Sequence, residues 1–347
     1  MPSRAAAAIS FLVLAFAARA GADTPVRKTG EASATVVPVF RDVALHFNPD
    51  SSAKFARKGL TYRDQGREAQ VTITLPHLRG PHRVTALLTV HPVPKTDREV
   101  FDRYDRAGNI RLQLEGKPDL ELIRFITAYG GRTDHEIDVT ALAPLLTDKR
   151  TFIAHIDTWS SPAWTLDLSL RYTPVEDFDN ATWALPVYYT PNFNAEHMPS
   201  GDSATVEIPR GLARVVLSYT TTGHCTDGID EDEFVSKANV VSVDGRVVAR
   251  FHPWRGDCRQ YRDRNPYCSR WTDGTWSSDY SRSGWCPGTE VLPTEFDLTD
   301  ALPPGRHTLH FAIENMRPKD PKGNYGYWRV SAALVGWAKP PRLWRNP

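Results

Sequence analysis

Short runs of alternating or wholly apolar residues, separated by Pro, Gly and Asp, recur along most of the chain. A period of two residues is the pattern of β-strands, and these runs are shorter than most helices. The pattern therefore predicts many strands and no long amphipathic helix. The predicted strands cover residues 71–75, 84–90, 110–114, 120–126, 151–159 and 164–172, and then 204–208, 213–219, 239–243, 246–251, 307–313 and 328–337.

Strands of this number and length predict an all-β fold made of two consecutive antiparallel jelly-roll sandwich domains. An irregular, proline-dotted stretch divides the two sets of strands, and such a stretch is typical of a linker. We therefore place an N-terminal jelly roll at residues 23–174, a linker at 175–200 and a C-terminal jelly roll at 201–347. Asp244-Gly245 lies between two predicted strands and is a two-residue hairpin signal.

The first residues predict a signal peptide. Arg4 supplies a positive charge and residues 5–18 are apolar. Both Ala18-Arg-Ala20 and Ala20-Gly-Ala22 fit the small-residue rule for cleavage, and the signal peptide is assigned to residues 1–22. No later segment approaches the roughly 20 apolar residues of a membrane span. We expect a secreted or periplasmic protein once this segment is removed.

Charge and cysteine content narrow the partners and the compartment. The chain has 42 basic and 41 acidic residues without a block of either sign, which argues against nucleic acid or a membrane as a partner. We expect a monomer.

An even number of cysteines in an exported chain predicts two disulfides with three possible pairings. Zinc is the alternative, but the four cysteines include no Cys-x-x-Cys pair; they are Cys225, Cys258, Cys268 and Cys286.

The run Arg282-Ser-Gly-Trp-Cys-Pro-Gly288 carries a guanidinium, an indole and a crosslinkable sulfur between two glycines. Glycine allows sharp turns, a guanidinium donates several hydrogen bonds and an indole is a flat apolar surface. A rigid polar pocket with an aromatic floor suits a sugar. The alternative interpretation is a disulfide-pinned loop around a core tryptophan.

Three acidic segments are candidates for catalysis. Phe101-Asp-Arg-Tyr104 precedes a predicted strand, Asp157-Thr-Trp159 ends another, and acidic residues cluster before Phe234. A carboxylate beside an arginine is also the common surface ion pair. The last cluster could instead bind calcium, although its spacing lacks the glycine-centred pattern of a hand-type loop.

Six runs together, in order along the chain, resemble the peptide-N-glycosidase F family. The likeness is nearly continuous from Phe101 to Pro174 and patchy from about Ser218 to Glu290. The runs are Phe101-Asp-Arg-Tyr104, Arg124-Phe-Ile-Thr127 with Tyr129, Glu136-Ile-Asp-Val-Thr140, Asp157-Thr-Trp159, Tyr172-Thr-Pro174 and Arg282-Ser-Gly-Trp-Cys-Pro-Gly288.

This resemblance implies a secreted bacterial amidase with its active site in the cleft between two jelly rolls. Such an enzyme cleaves the amide that joins asparagine to the first N-acetylglucosamine of an N-linked glycan, leaves aspartate, and needs no metal or other cofactor. The substrate would be an N-linked glycoprotein or glycopeptide. By position, Asp102 corresponds to the essential carboxylate, Glu233 to the second acid and Asp157 to a third, which is glutamate in the family.

The resemblance also implies binding residues and one disulfide. Cys258 resembles in position the family cysteine that joins the Trp-Cys-Pro-Gly run, which implies Cys258–Cys286 and leaves Cys225 with Cys268. The residues expected to bind substrate are Arg103, Tyr129, Trp159, His224, Phe234, Arg282 and Trp285.

Two alternatives to an amidase remain open from the sequence. A glycan-binding module could keep the fold without the chemistry, because the third acid is altered. A copper monooxygenase would need a His-x-His pair, which the chain lacks, and a thioether ligand, for which the mature chain offers only Met198 and Met316.

Overall fold

A computed structural model describes residues 33–225 and 232–339. Residues from Ser33 onward form one compact unit. The predicted signal peptide, residues 1–22, lies outside the described residues. Within those ranges no helix has the length and apolar character needed to cross a membrane.

The described chain is built almost entirely from strands, as the alternating pattern predicts. The strands of the first half are β1 Thr35–Leu45, β2 Leu60–Arg63, β3 Glu68–Leu75, β4 His82–Pro92, β5 Pro94–Thr96, β6 Glu99–Val100, β7 Ala107–Gln113, β8 Leu120–Ile126, β9 Thr133–Asp138, β10 Asp148–Ile156 and β11 Trp164–Pro174. The strands of the second half are β12 Trp183–Phe193, β13 Asp202–Ile208, β14 Arg214–Cys225, β15 Asn239–Val243, β16 Arg246–Phe251, β17 Glu290–Val291, β18 Thr294–Asp297, β19 Gly305–Ile313 and β20 Gly326–Trp337.

Helices in the described ranges are short. One α-helical turn, α1, spans Ser52–Phe55. The 3₁₀ turns are Pro49–Ser51, Asp64–Gly66, Thr140–Leu145, Cys258–Arg264 and Ser277–Asp279.

Each half of the chain is a sandwich of two antiparallel sheets. In the first sandwich a sheet ordered β1-β11-β4-β9 packs on one ordered β17-β8-β7-β10-β3-β2, whose edge strand β17 comes from the second half of the chain. In the second half β12-β20-β14-β18 packs on β13-β19-β15-β16. Leu88 and Leu168 from one sheet meet Ile110 and Phe152 from the other in the first core. The predicted all-β fold of antiparallel sandwiches is confirmed.

Every predicted run overlaps a strand, and the Asp244-Gly245 hairpin is confirmed. β15 and β16 pair antiparallel with Val243 opposite Arg246. Asp244 and Gly245 have φ angles of 48° and 82°. Two successive positive φ angles are what a primed two-residue turn requires.

The predicted linker, residues 175–200, contains a strand that the sequence pattern hides. β12 occupies Trp183–Phe193 and carries two prolines. Among the described strands it is an edge strand whose partner is β20, and its register shifts between Pro186 and Tyr188. Edge strands and bulges are where a sheet tolerates proline, so the prolines do not mark a linker here. The irregular connection between β11 and β12 covers residues 175–182.

β20 joins the two sandwiches through its alternating faces. Trp328, Val330 and Leu334 point into the second core. On the opposite face, Arg329 bonds Asp157 and Ser331 bonds Glu121, both of which belong to the first half. The strand is therefore buried on both sides, and its polar face helps to build the site.

Candidate active site

A cavity of about 630 Å³ lies where loops of the two sandwiches meet. Its size falls in the range of small-molecule sites in proteins. The first half contributes Tyr104, Asp105, Arg106, Asp157 and Trp159 to its wall. The second half contributes His224, Cys225, Glu233, Trp285 and Tyr327.

Strand register explains why two distant segments of the first half meet at this cavity. β10 and β7 pair antiparallel with Ile156 opposite Gly108, so the end of one strand lies beside the start of the other. The Asp157 amide donates to the Ala107 carbonyl at 2.9 Å. Asp157 and Asp105, which follow and precede these strands, are thereby placed at the same edge.

Arg282 links the two acids that form the centre of the site. Its Nε donates to Glu233 Oε1 at 3.2 Å, and its Nη2 lies 3.6 Å from Asp105 Oδ2. The side chain is 1 % exposed, and the carbonyls of Ser277 and Tyr280 accept its remaining hydrogen bonds at 2.7 and 3.0 Å. A guanidinium held in this way is a fixed positive charge between two carboxyl groups.

Burial makes both acids harder to ionise. It raises the pKa of Glu233 to about 7, and nearby Asp105 adds to this effect while Arg282 opposes it. Burial also raises the pKa of Asp105, although Arg282 and a hydrogen bond from Tyr129 act in the other direction. Two interacting acids of this kind titrate as a pair. The pair can therefore hold one proton near neutral pH.

The third acid, Asp157, is held by two arginines. Arg67 Nη1 donates to Asp157 Oδ1 at 3.1 Å and Arg329 Nη2 to Oδ2 at 2.8 Å. Both carboxylate oxygens of Asp157 are thus bound to guanidinium groups. This environment differs from that of Asp105 and Glu233 and suits binding better than proton transfer.

Aromatic side chains form the walls of the cavity. Trp159 is 61 % exposed and offers its indole to solvent. His224 is stacked between Trp285 and Tyr327, with ring centroids 5.4 and 5.3 Å apart. Burial, together with Arg329 and other arginines, holds the pKa of His224 well below its usual value, so its imidazole is neutral at pH 7.

The loop that carries Arg282 and Trp285 has a backbone that requires glycine. Gly284 has a φ of 86°, and a Cβ there would come within 2.6 Å of the Thr221 carbonyl oxygen. The Trp285 indole donates to the Gly223 carbonyl at 2.8 Å, and Cys286 forms a disulfide with Cys258. Turn, hydrogen bond and disulfide together fix this wall of the cavity.

Five of the sequence-predicted residues line the cavity: Asp157, Trp159, His224, Glu233 and Trp285. Tyr129 and Arg282 contact the central acids from behind the wall. Phe234 lies away from the cavity, with its ring below Arg282 and against Trp271.

Asp102 and Arg103 are not where the sequence analysis expected them. Asp102 is 1 % exposed and accepts hydrogen bonds from Thr158 Oγ1 at 2.6 Å, Arg106 Nε at 2.9 Å and Trp164 Nε1 at 3.4 Å. It does not line the cavity, and its carboxylate holds the Arg106 guanidinium. Arg103 is exposed and stacks outside on Tyr104.

The residues missed by the sequence analysis are Asp105 and Arg106, which line the cavity. The signal for them was present, because the dipeptide Asp-Arg occurs twice in Phe101-Asp-Arg-Tyr-Asp-Arg106. Only the second copy lies immediately before β7, at the sheet edge where Asp157 also emerges. Asp105, three residues after Asp102, is therefore the acid of this segment that lines the cavity.

One of the two expected disulfides is present in the structure. Cys258 and Cys286 are joined. Cys225 and Cys268 are not joined to each other. The Cys225 thiol donates instead to Glu233 Oε2 at 3.3 Å. Its position at the end of β14 and in the cavity wall accounts for this contact.

The acidic segment around Glu233 is only partly covered by the described residues. Asp232 is buried and ion-paired with Lys237, which leaves Glu233 as the acid that faces the cavity. Glu231 lies outside the described residues. Among described residues, one group could place three metal ligands together, Asp257 with Cys258 and Cys286, and its two sulfurs form the disulfide.

These features define a two-sandwich protein with a buried pair of acids bridged by arginine in an aromatic-walled cleft. Residues 192–335 match the family model described as peptide-N-glycosidase F, C terminal. This match, which covers less than half of the chain, supports a likeness of its second half to the peptide-N-glycosidase F family. No curated protein sequence matches the chain.

Solved structures share the fold across most of the chain. The structure of PNGF-II is similar with a TM-score of 0.77 and 25 % identity, over 87 % of this chain and 65 % of that one. The chain therefore spans about two thirds of the PNGF-II chain. PNGase F, described as a glycosylasparaginase from Flavobacterium meningosepticum, has a TM-score of 0.68 and 17 % identity, over 89 % and 99 % of the two chains.

Proposed function

We propose that this protein is a peptide-N-glycosidase that hydrolyses the amide between asparagine and the first N-acetylglucosamine of N-linked glycans. The observation that carries the proposal is the Asp105–Arg282–Glu233 cluster in the wall of the cavity. Amide hydrolysis needs a base to activate water and an acid to protonate the leaving nitrogen. Two buried acids that share a proton supply both.

In this mechanism Asp105 accepts a proton from water as the water oxygen attacks the amide carbon of the asparagine side chain. Glu233, whose pKa is raised to about 7, donates its proton to the amide nitrogen, and the carbon–nitrogen bond breaks. The products are aspartate in the peptide and a glycosylamine, which then loses ammonia in water. Arg282 keeps the two acids in place and limits their mutual repulsion.

The sugar would lie between Trp159 and the His224–Trp285 wall. Aromatic rings bind the apolar faces of sugars, while fixed carboxylates and guanidinium groups bind their hydroxyl and acetamido groups. Asp157 lies between its two arginines and acts in binding. The substrate class is therefore an N-linked glycoprotein or glycopeptide, met outside the cytosol, where the Cys258–Cys286 disulfide is stable.

The test is incubation of the purified protein with an N-linked glycopeptide in water enriched in heavy oxygen, followed by mass spectrometry. An amidase converts asparagine to aspartate with one heavy oxygen and releases the intact glycan. A glycosidase that cuts between sugars leaves N-acetylglucosamine on asparagine. A glycopeptide that binds and stays unchanged would refute the amidase proposal and support a binding module. A parallel sample without protein measures spontaneous deamidation.

A further inference from the structure

Arg67 contacts the exposed indole of the cavity, although no sequence motif pointed to it. Its guanidinium carbon lies 4.9 Å from the ring centroid of Trp159 and 4.9 Å from that of Phe47. Phe47 also meets Trp159 edge-on at 4.9 Å. These two contacts hold the ring plane of Trp159, whose side chain is otherwise mostly exposed.

The same guanidinium also holds the third acid. Arg67 Nη1 donates to Asp157 Oδ1 at 3.1 Å, while Nη2 donates to Asp64 at 2.8 Å. The Arg67 side chain is only 15 % exposed, so these contacts are largely shielded from water. A planar fork can stack on an indole and bind carboxylates in fixed directions at once, whereas an ammonium group has no planar face to stack.

We propose that Arg67 is a positioning residue for sugar recognition. It fixes the Trp159 ring and the Asp157 carboxylate relative to each other, so that the ring stacks on a sugar face while the carboxylate accepts a hydrogen bond from a hydroxyl of the same disaccharide core. Preorganisation of both groups removes their ordering cost from binding. The identity of the sugar rests on the proposed function.

The test measures binding of a disaccharide of two N-acetylglucosamine units by calorimetry. This probe has no amide to asparagine, so binding is measured without turnover. Arg67→Met keeps the apolar stem and removes the fork, and it should weaken binding about 10-fold, the effect of one charge-assisted contact. Arg67→Lys keeps the charge and should fall between parent and Arg67→Met. Arg57→Met is the matched control, because Arg57 forms an exposed ion pair with Asp42.

A double-mutant cycle separates positioning from general stability. If Arg67 acts through the indole, adding Arg67→Met to Trp159→Ala should weaken binding by clearly less than about 10-fold further, because only the positioning of Asp157 is then lost. A full 10-fold further loss, or unchanged affinity in Arg67→Met and Arg67→Lys, would overturn the proposal. Thermal melting identifies any variant that has lost its fold, and Arg67→Lys retains the ion pair if Arg67→Met unfolds.

The two proposals fail in different assays. A parent protein that binds the disaccharide without cleaving a glycopeptide refutes the amidase and leaves the role of Arg67 to be decided by the cycle. A parent that cleaves the glycopeptide but shows no affinity for the disaccharide refutes the role of Arg67 alone.

Discussion

Asp105 and Asp102 lie three residues apart in sequence, but replacing each by asparagine should have different effects. The change at Asp105 should lower the catalytic rate, and the change at Asp102 should lower stability. Asp105 lines the cavity and its pKa is raised by burial, so the folded protein disfavours its charge. For an acid with a raised pKa, the contribution to stability is present below the unfolded pKa and is lost as pH rises through the folded one. The neutral change Asp105→Asn should therefore leave stability at pH 7 unchanged or raised.

The catalytic cost of Asp105→Asn is large if this acid activates water. Proton transfer by a positioned side chain contributes roughly 10²- to 10⁴-fold to the rate, so the deglycosylation rate should fall by about that factor. Substrate affinity should change little, because Trp159 and Asp157 are untouched.

Asp102→Asn should mainly lower stability. The carboxylate forms a buried ion pair with Arg106 and also accepts from Thr158, and an amide would turn a donor toward these donors. Breaking a buried pair by removing one partner costs about 3–5 kcal/mol. Activity should fall less than with Asp105→Asn, through misplacement of Arg106 in the cavity wall.

Both variants can be measured by urea unfolding, followed by tryptophan fluorescence, and by initial rates on a glycopeptide. An active Asp105→Asn protein would refute the catalytic assignment. A stable Asp102→Asn protein that has lost turnover with unchanged affinity would show that the buried acid is the catalytic one.

Two further predictions concern pH and the disulfide. Since the pKa of Glu233 is raised to about 7, kcat/KM should fall as pH rises through about 7, where the proton needed by the leaving group is lost; a profile that rises through this range would assign Glu233 the role of base. Cys258 and Cys286 are 28 residues apart, so replacing both by serine should lower the free energy of unfolding by about 3–4 kcal/mol, while Cys268→Ser should have little effect. Urea unfolding measures this difference, and equal stability of the two variants would contradict it.

The alternating pattern was enough to predict the fold class because strand periodicity is a local property of the sequence. β12 was missed because prolines in an edge strand look the same in sequence as prolines in a linker. β20 was found, but its two buried faces, one apolar and one bearing Arg329 and Ser331, became visible only when its neighbours were known.

The site was predicted best where local sequence determines it. The loop around Arg282 carries its own glycines, indole and cysteine, and the structure places Trp285 in the cavity wall and Arg282 behind it. The choice between Asp102 and Asp105 depends instead on the pairing of β7 with β10, a contact between residues far apart in sequence. The role of Arg67 depends on the contact of its guanidinium with the Trp159 ring, and a contact between residues so far apart in sequence produces no sequence motif.

The short strand β17 has a consequence for dissecting the protein. It comes from the second half but pairs with β8 of the first, with Glu290 opposite Phe125, and Glu290 also bonds His135 at 2.8 Å. A truncated chain that ends at Pro174 would leave β8 as an open edge, with unpaired backbone groups that invite aggregation. The second half alone would lose the partner that anchors the end of its Arg282 loop. Truncations intended to isolate one sandwich should therefore carry β17 with the first, by fusion or by co-expression.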